Sequence, residues 1–176
     1  MPRLQFLMFL IILSCLLTGC SLSLPPPSAP KLMAVFTEPF LCGFTFYEPD
    51  AKPLQASLVR NASGDLLTVY GEHVNTVFFH DGTALTLRTS GNEDTPPLQL
   101  PLPTGYDQGA AASFALFSVV PDDSFSSSHG DGGILVTSPD GSYTAVFSSD
   151  GIPQRITSGN RCAVITSFTA NPPPTT

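Results

Sequence analysis

The residue with the clearest predicted chemical role is Cys20, whose thiol can be modified and which follows an apolar run near the N-terminus. That run extends from Leu4 to Leu17, begins just after the single positive charge of Arg3, and is almost wholly apolar. A positive charge followed by a short apolar core is typical of a secretion signal. The run is too short for a comfortable membrane span, which needs about 20 apolar residues. The sequence therefore predicts that the chain is exported.

The residues that end this run resemble the lipobox of bacterial lipoproteins; they are Leu17, Thr18, Gly19 and Cys20. The resemblance implies that the Cys20 thiol takes a diacylglyceryl group and that residues 1–19 are then removed as a lipoprotein signal peptide. Thr18 and Gly19 fit, because the peptidase must admit an extended backbone beside two acyl chains. Two chains hold a protein on a membrane where one binds only marginally. The alternatives are an uncleaved N-terminal anchor and a plain signal cut near Ser21.

Proline-rich sequence stands on both sides of one longer stretch. Residues 20–30 hold four prolines after the lipidation site and therefore predict an extended tether. Residues 171–176 have the same character and predict a disordered tail. The 140 residues between them, 31–170, have the usual size of one globular domain. We therefore expect a single domain held off the membrane on a short stalk.

The chain is acidic, with a formal net charge of −7, and removal of residues 1–19 takes away one Arg and no acid, which leaves −8. Such a surface repels phosphate backbones, which argues against nucleic acid as a partner. Charged residues make up only 12% of the chain, whereas its 13 Phe residues and many Val, Leu and Thr residues suit a pleated, half-buried surface. The composition predicts that residues 31–170 are β-rich with a packed core.

Alternating apolar residues and turn signals predict an antiparallel meander. One face of the first strand carries the alternate residues Phe40, Cys42, Phe44 and Phe46. Asp-Gly pairs between apolar runs are strong hairpin signals. Hairpin-like connections follow at residues 61–65, 80–82, 139–141 and 149–151. The predicted fold class is mainly β, an antiparallel meander sheet with one covering helix.

That helix is predicted at about residues 107–120. Asp107 can cap its start, three alanines follow, and Pro121 ends it. Phe114 and Phe117 are three residues apart and share one helical face. We expect these two rings to plug the sheet as core; the alternative is that they line a ligand cavity.

The order of elements resembles a group of uncharacterised bacterial, clostridial-type lipoproteins. The resemblance rests on the lipobox, the tether, an opening strand at 38–40, a Leu-Pro-Leu-Pro segment at 100–103, the single helix, and closing strands joined through residues 150–153. Those proteins are similar in layout to the lipoprotein-carrier fold (LolA/LolB-like), an unclosed antiparallel half-barrel whose concave face is covered by helix. The resemblance spans most of residues 36–169.

The resemblance implies a concave apolar face that holds acyl chains. The residues expected on that face and its helix cover are Phe44, Phe46, Phe114 and Phe117. One departure is expected: the carriers begin with an amphipathic helix, whereas Leu32 to Phe40 is predicted to run straight into a strand. By analogy of fold, the chain would bind a hydrophobic ligand, an acyl chain or another lipoprotein.

Two cysteines remain once Cys15 is discarded with the signal and Cys20 carries lipid. They are Cys42 in the first predicted strand and Cys162 in the last. An exported, oxidising location permits a disulfide between them. Apolar alternation around each predicts that both face the core, where a bridge would tie the two ends of the fold together. The alternative is a pair of buried free thiols in strands that never meet.

The sequence holds no recognisable catalytic set. It lacks Gly-x-Ser-x-Gly, His-Glu-x-x-His, Cys-x-x-Cys and Gly-Lys-Ser/Thr motifs. The three histidines are scattered without ligand spacing. His129 and Asp131 could bind a metal ion, and the acid pairs 93–94 and 122–123 could do acid/base chemistry. All of them stand in loop sequence, where solvated surface charge is the better interpretation. We predict no enzymatic activity, no cofactor and no bound metal.

Two functions from different classes remain. The first is a membrane-anchored lipoprotein of the cell envelope that binds a hydrophobic ligand, an acyl chain or a lipoprotein. The alternative is an envelope structural or protein-interaction lipoprotein with a filled core and no ligand cavity. A continuous apolar cavity beneath the helix favours the first, and a packed interior favours the second. Either protein would sit on the outer face of the cell membrane, or on the outer membrane of a cell that has one.

Overall fold

The computed structural model of the chain describes residues 25–81, 84–89, 96–101 and 112–172. The lipobox with Cys20, the acid pair 93–94 and the predicted helix start at Asp107 lie outside these residues. Within them, strands predominate. In chain order they are β1 (Phe40–Tyr47), β2 (Leu54–Asn61), β3 (Gly64–Tyr70), β4 (Thr76–His80), β5 (Ala84–Thr89), β6 (Leu98–Pro101), β7 (Ser126–Gly130), β8 (Gly133–Thr137), β9 (Tyr143–Phe147), β10 (Pro153–Ser158) and β11 (Arg161–Ala170).

These described strands form one antiparallel sheet of eleven strands. Their order across the sheet is β6-β5-β4-β3-β2-β1-β11-β10-β9-β8-β7. The sheet therefore consists of two meanders, β1–β6 and β7–β11, which join where the first strand pairs with the last. The edges are β6 and β7, so the sheet is unclosed. The prediction of a mainly β, antiparallel and unclosed sheet is confirmed.

Turn chemistry explains why consecutive strands pair. In the β2–β3 turn, the side-chain oxygen of Asn61 accepts the Ser63 N–H at 2.8 Å. Gly64 follows with φ +135°, a conformation that residues with a side chain rarely adopt. A Cβ atom at Gly64 would also overlap the carbonyl oxygen of His80 on β4. Asn and Gly thus reverse the chain and leave room for the neighbouring strand.

Two short helical segments lie on one face of this sheet. They are α1 (Ala29–Met33), which continues as the 3₁₀ turn Ala34–Phe36, and α2 (Ala112–Phe117). Among the residues described, no helix is long and apolar enough to cross a membrane. α2 falls inside the helix predicted at 107–120, but residues 118–120 are not helical, in keeping with the restriction that Pro121 places on the residue before it.

The expectation that Leu32 to Phe40 runs straight into a strand is wrong. Leu32, Met33 and Phe36 are buried. In a helical segment, residues at this spacing lie on one face. This face packs into the same hydrophobic core as the sheet. A short apolar helical segment therefore precedes β1.

Contacts of α2 show that the sheet is curved. Its Phe114 ring lies 6.0 Å from the ring of His80 on β4, and its Leu116 carbonyl accepts the Tyr143 hydroxyl of β9 at 3.1 Å. Phe114 and Leu116 are only two residues apart on α2, whereas β4 and β9 would be about 29 Å apart in a flat sheet, and side chains that stand roughly perpendicular to a flat sheet would not bridge that distance. The sheet must therefore wrap around α2. We call the concave side, which carries Phe40 and Phe44, the inner face.

Candidate functional site

Phenylalanine rings fill the described part of the inner face. Phe36, at the end of the 3₁₀ turn, lies at the centre of this set and is 1% exposed. Its ring centroid is 5.9 Å from that of Phe40 on β1, 5.7 Å from Phe117 on α2, 6.1 Å from Phe147 on β9 and 6.0 Å from Phe168 on β11. One ring thus joins both helical segments to both meanders.

The four residues predicted for the concave face all belong to this core. Phe44 and Phe117 are in direct contact, with ring centroids 5.1 Å apart. Phe46 lies on the same face of β1 and Phe114 on α2, and both are buried. The sequence analysis does not find Phe36, because it predicts an extended chain from Leu32 to Phe40. The spacing of Leu32, Met33 and Phe36 is the signal that could have found it.

Arg60 of β2 connects the two helical segments to the sheet. Its Nη1 donates hydrogen bonds to the carbonyl oxygen of Phe36 and, at 3.1 Å, to that of Phe117. Its Nε and Nη2 donate to the two carboxylate oxygens of Asp65 at 2.8 and 2.5 Å. Its Nη2 also lies 3.4 Å from the Ser118 hydroxyl. We call this set the Arg60 clamp, and α1, the 3₁₀ turn and α2 together the cover.

The clamp follows from local structure and helix geometry. The β2–β3 hairpin places Arg60 directly opposite Asp65, so the pair is held by the sheet itself. Phe36 and Phe117 end their helical segments, where carbonyl groups lack intrahelical partners. A guanidinium group offers several donors in one plane and can serve a carboxylate and carbonyls at once. The side chains of Arg60 and Asp65 are only 18% and 11% exposed, and the Arg60 guanidinium carbon lies 5.3 Å from the centre of the Phe40 ring.

The predicted disulfide is corrected by the register of β1 and β11. The two strands do pair, but Cys162 lies opposite Tyr47, five residues along β1 from Cys42. This spacing corresponds to about 17 Å, whereas the Cα atoms of a disulfide are usually less than about 7 Å apart. Both thiols are free. Cys42 is in the core, as predicted, while Cys162 shares the outer face with the half-exposed Tyr47.

Burial of the Cys42 thiol leads to a pH prediction. Burial raises its pKa from 9.0 to about 12, because an apolar surrounding disfavours the thiolate. The unfolded chain therefore loses this proton at lower pH than the folded chain does, and the resulting stability is lost as the pH rises from 9.0 to about 12. Across this window we expect the wild type to lose up to about 1.4 kcal/mol per pH unit more than Cys42→Ala. Urea unfolding at several pH values measures both slopes.

The matched control for Cys42→Ala is Leu58→Ala, at the position opposite Cys42 on β2. Leu58 is equally buried, so its removal weakens packing without removing a thiol. Leu58→Ala should keep the wild-type slope. Equal slopes for Cys42→Ala and the wild type would contradict the prediction.

The other candidate side chains do not converge. Among the residues that the structure describes, no three His, Cys, Asp or Glu side chains are placed to hold a metal ion. His129 lies on the edge strand β7, with Asp131 in the turn that follows. The Asp122 carboxylate accepts the Ser124 N–H at 2.9 Å and also the Ser124 hydroxyl, and these bonds lower its pKa. Asp122 thus shapes a turn.

The fold and the packing of the interior define the structural class of the described residues. It is an unclosed, curved antiparallel sheet of eleven described strands, filled by phenylalanine and covered by two short helical segments that one arginine holds. No protein-family model matches the chain, and no curated protein matches its sequence. The function therefore has to be argued from the cover, the clamp and the interior.

Proposed function

We propose that this chain is a membrane-anchored lipoprotein of the cell envelope that binds a hydrophobic ligand, an acyl chain or another lipoprotein on its inner face. The observation that carries the proposal is the Arg60 clamp, which holds both parts of the cover over a face lined by phenylalanine. The anchor in this proposal is the lipid on Cys20 that the lipobox resemblance implies. The domain would then stand on the outer face of the cell membrane, or on an outer membrane where there is one.

The cover has the properties of a part that can move. Helices this short are not stable in isolation, so their structure depends on packing. The packing of Phe36 and Phe117 against the sheet is apolar and non-directional, and an acyl chain offers the same kind of contact. The polar links from sheet to cover come from Arg60, which holds the Phe36 and Phe117 carbonyl groups, and from Tyr143, whose hydroxyl donates to the Leu116 carbonyl. Release of a few hydrogen bonds would therefore free the two ends of the cover together.

The resemblance to the lipoprotein-carrier fold (LolA/LolB-like) supports this proposal. The carriers begin with an amphipathic helix, and the sequence was expected to lack one. The buried segment from Ala29 to Phe36 removes that departure. The curved unclosed sheet, the N-terminal helical segment and the second helix are the features of this chain that support the proposal.

A second candidate is an envelope structural or protein-interaction lipoprotein with a filled core. The observation in its favour is the packed interior, which is what this candidate predicts: seven phenylalanine side chains on the described inner face and cover are at most 2% exposed. They are Phe36, Phe40, Phe44, Phe46, Phe114, Phe117 and Phe147. In this candidate the Arg60 clamp closes the core permanently.

Lipid analysis of the exported chain distinguishes the two candidates. The Cys20→Ala variant removes the acylation site, so any acyl chain found in the purified protein is bound without a covalent bond. We expect native mass spectrometry and solvent extraction to find a co-purifying lipid, and cis-parinaric acid to bind stoichiometrically. If the purified chain carries no lipid and does not bind cis-parinaric acid, the carrier proposal is rejected. The anchor is tested separately by the N-terminal mass of the wild type, which should begin at Cys20 and include a diacylglyceryl group.

A further inference from the structure

A notch lies on the outer face of the sheet, where β1 meets β2 and β11, and is separate from the cover and the clamp. Its volume is about 440 Å³, which falls within the range of small-molecule sites. Two backbone features create it. Gly43 contributes no side chain to its floor, and the β1–β11 register shifts between Gly43 and Phe44, which leaves Thr166 as an extra residue on β11. Bulges and strand glycines are typical of places where a ligand approaches a sheet.

The walls of the notch are neutral and combine hydroxyl groups with apolar side chains such as the exposed Leu41. The polar residues that line it are Thr45, Gln55, Ser57, Tyr70, Thr166 and Ser167. None of the described residues that line it is charged, although the chain as a whole carries a net charge of −7. Hydroxyl and amide groups both donate and accept hydrogen bonds. Such a surface suits an uncharged ligand that offers many donors and acceptors.

Tyr70 gives the notch an aromatic wall that is already fixed. Its side chain is 49% exposed, and its hydroxyl lies 2.9 Å from the Ser57 hydroxyl on β2. A tyrosine ring provides apolar contact at its face and a polar group at its tip. A sugar ring presents the same pair of features, a C–H face and hydroxyl groups at its rim.

We propose that the notch binds a short neutral oligosaccharide, with Tyr70 contacting a sugar ring and the surrounding hydroxyl groups pairing with those of the sugar. This site goes beyond the proposed carrier function and does not depend on it. It lies on the opposite face of the sheet from the phenylalanine interior, so the two ligands would not compete. A protein surface could also meet an outer-face groove, but the absence of charge and the run of hydroxyl groups along the described lining favour a glycan.

The test uses calorimetric titration of the exported Cys20→Ala chain with defined sugars. The neutral probes are chitotriose, cellotriose and maltotriose, and trigalacturonate is the charged probe. We expect at least one neutral probe to bind and trigalacturonate to bind more weakly. Tyr70→Ala should weaken that binding by about tenfold, the equivalent of one good aromatic contact. Tyr47→Ala is the matched control, because Tyr47 is 43% exposed and lies outside the notch.

A second variant fills the notch instead of removing its wall. In Gly43→Ala the new Cβ would lie 2.6 Å from the Ser167 Oγ. The Ser167 hydroxyl can rotate away, so the fold should persist. The added methyl group would then occupy part of the notch. Gly43→Ala should therefore also weaken binding, with an unchanged circular dichroism spectrum. No binding of any neutral probe, equal binding of trigalacturonate, or unchanged affinity in Tyr70→Ala would each overturn the proposal. Cis-parinaric acid binding should be the same in Tyr70→Ala as in its parent.

Discussion

Arg60→Met should cost about 3 to 5 kcal/mol of the free energy of unfolding. The substitution leaves the Asp65 carboxylate without its cation, although the Asp65 side chain is only 11% exposed. It also removes the donor from the Phe36 and Phe117 carbonyl oxygens, and each unpaired buried group adds its own desolvation cost. Urea unfolding followed by circular dichroism measures the loss. A loss below about 1 kcal/mol, the value of an exposed ion pair, would contradict it.

The double variant Arg60→Met/Asp65→Leu separates stability from the fastening of the cover. Replacing both partners of a buried pair by apolar residues is often neutral, so most of the lost stability should return. The carbonyl groups of Phe36 and Phe117 remain without their donor, so the cover should stay loosely held. We expect faster hydrogen exchange in α2 and faster uptake of cis-parinaric acid than in the wild type, although the double variant regains most of the stability that Arg60→Met loses. Wild-type exchange in the double variant would show that Arg60 does not fasten the cover.

The sheet was predictable because its signals are local. The alternation around Phe44, the loop at residues 61–65 and the Asp-Gly pairs depend on residues close together in the chain, and each fixes one strand or one hairpin. The N-terminal helical segment is not predicted, because four prolines at residues 20–30 indicate an extended chain. Pro30 occupies the first turn of α1, where proline has no hydrogen bond to lose and its fixed φ suits the helix.

The site was less predictable because its parts are distant in sequence. Arg60 and Asp65 could have been paired from the hairpin, but Phe36 and Phe117 lie 24 and 57 residues away from Arg60. Only the pairing of β1 with β11 and the curvature of the sheet bring them together. The disulfide failed for a related reason. The two strands are neighbours, but their register places Cys162 opposite Tyr47, five residues from Cys42, and the bulge turns Cys162 to the outer face. No local pattern reveals either the register or the bulge.

Phe36→Ala should also cost about 3 to 5 kcal/mol, the usual loss for truncating a buried phenylalanine. Phe36 is 1% exposed and contacts rings from β1, β9, β11 and α2, so the cavity cannot close by the shift of one neighbour. Phe36→Leu keeps most of the volume and should lose less than about 1.5 kcal/mol. Urea unfolding measures both variants. Phe79→Ala is the matched control, because this half-buried ring lies on the outer face and its truncation should cost less than about 1.5 kcal/mol.

The same variant separates the two candidate functions. If the inner face binds acyl chains, the space left by Phe36 adds room where the ligand lies, and Phe36→Ala should bind cis-parinaric acid more tightly than the wild type at temperatures where it is folded. If the core is only structural, Phe36→Ala should lose stability and gain no acyl-chain binding, although an apolar cavity of this kind can admit a small solute such as benzene. Equal stability losses in Phe36→Ala and Phe79→Ala would refute the central place of Phe36 in the core. Tighter binding together with a large loss of stability is the result we expect, because the ring that holds the cover on the sheet also occupies the space a ligand would take.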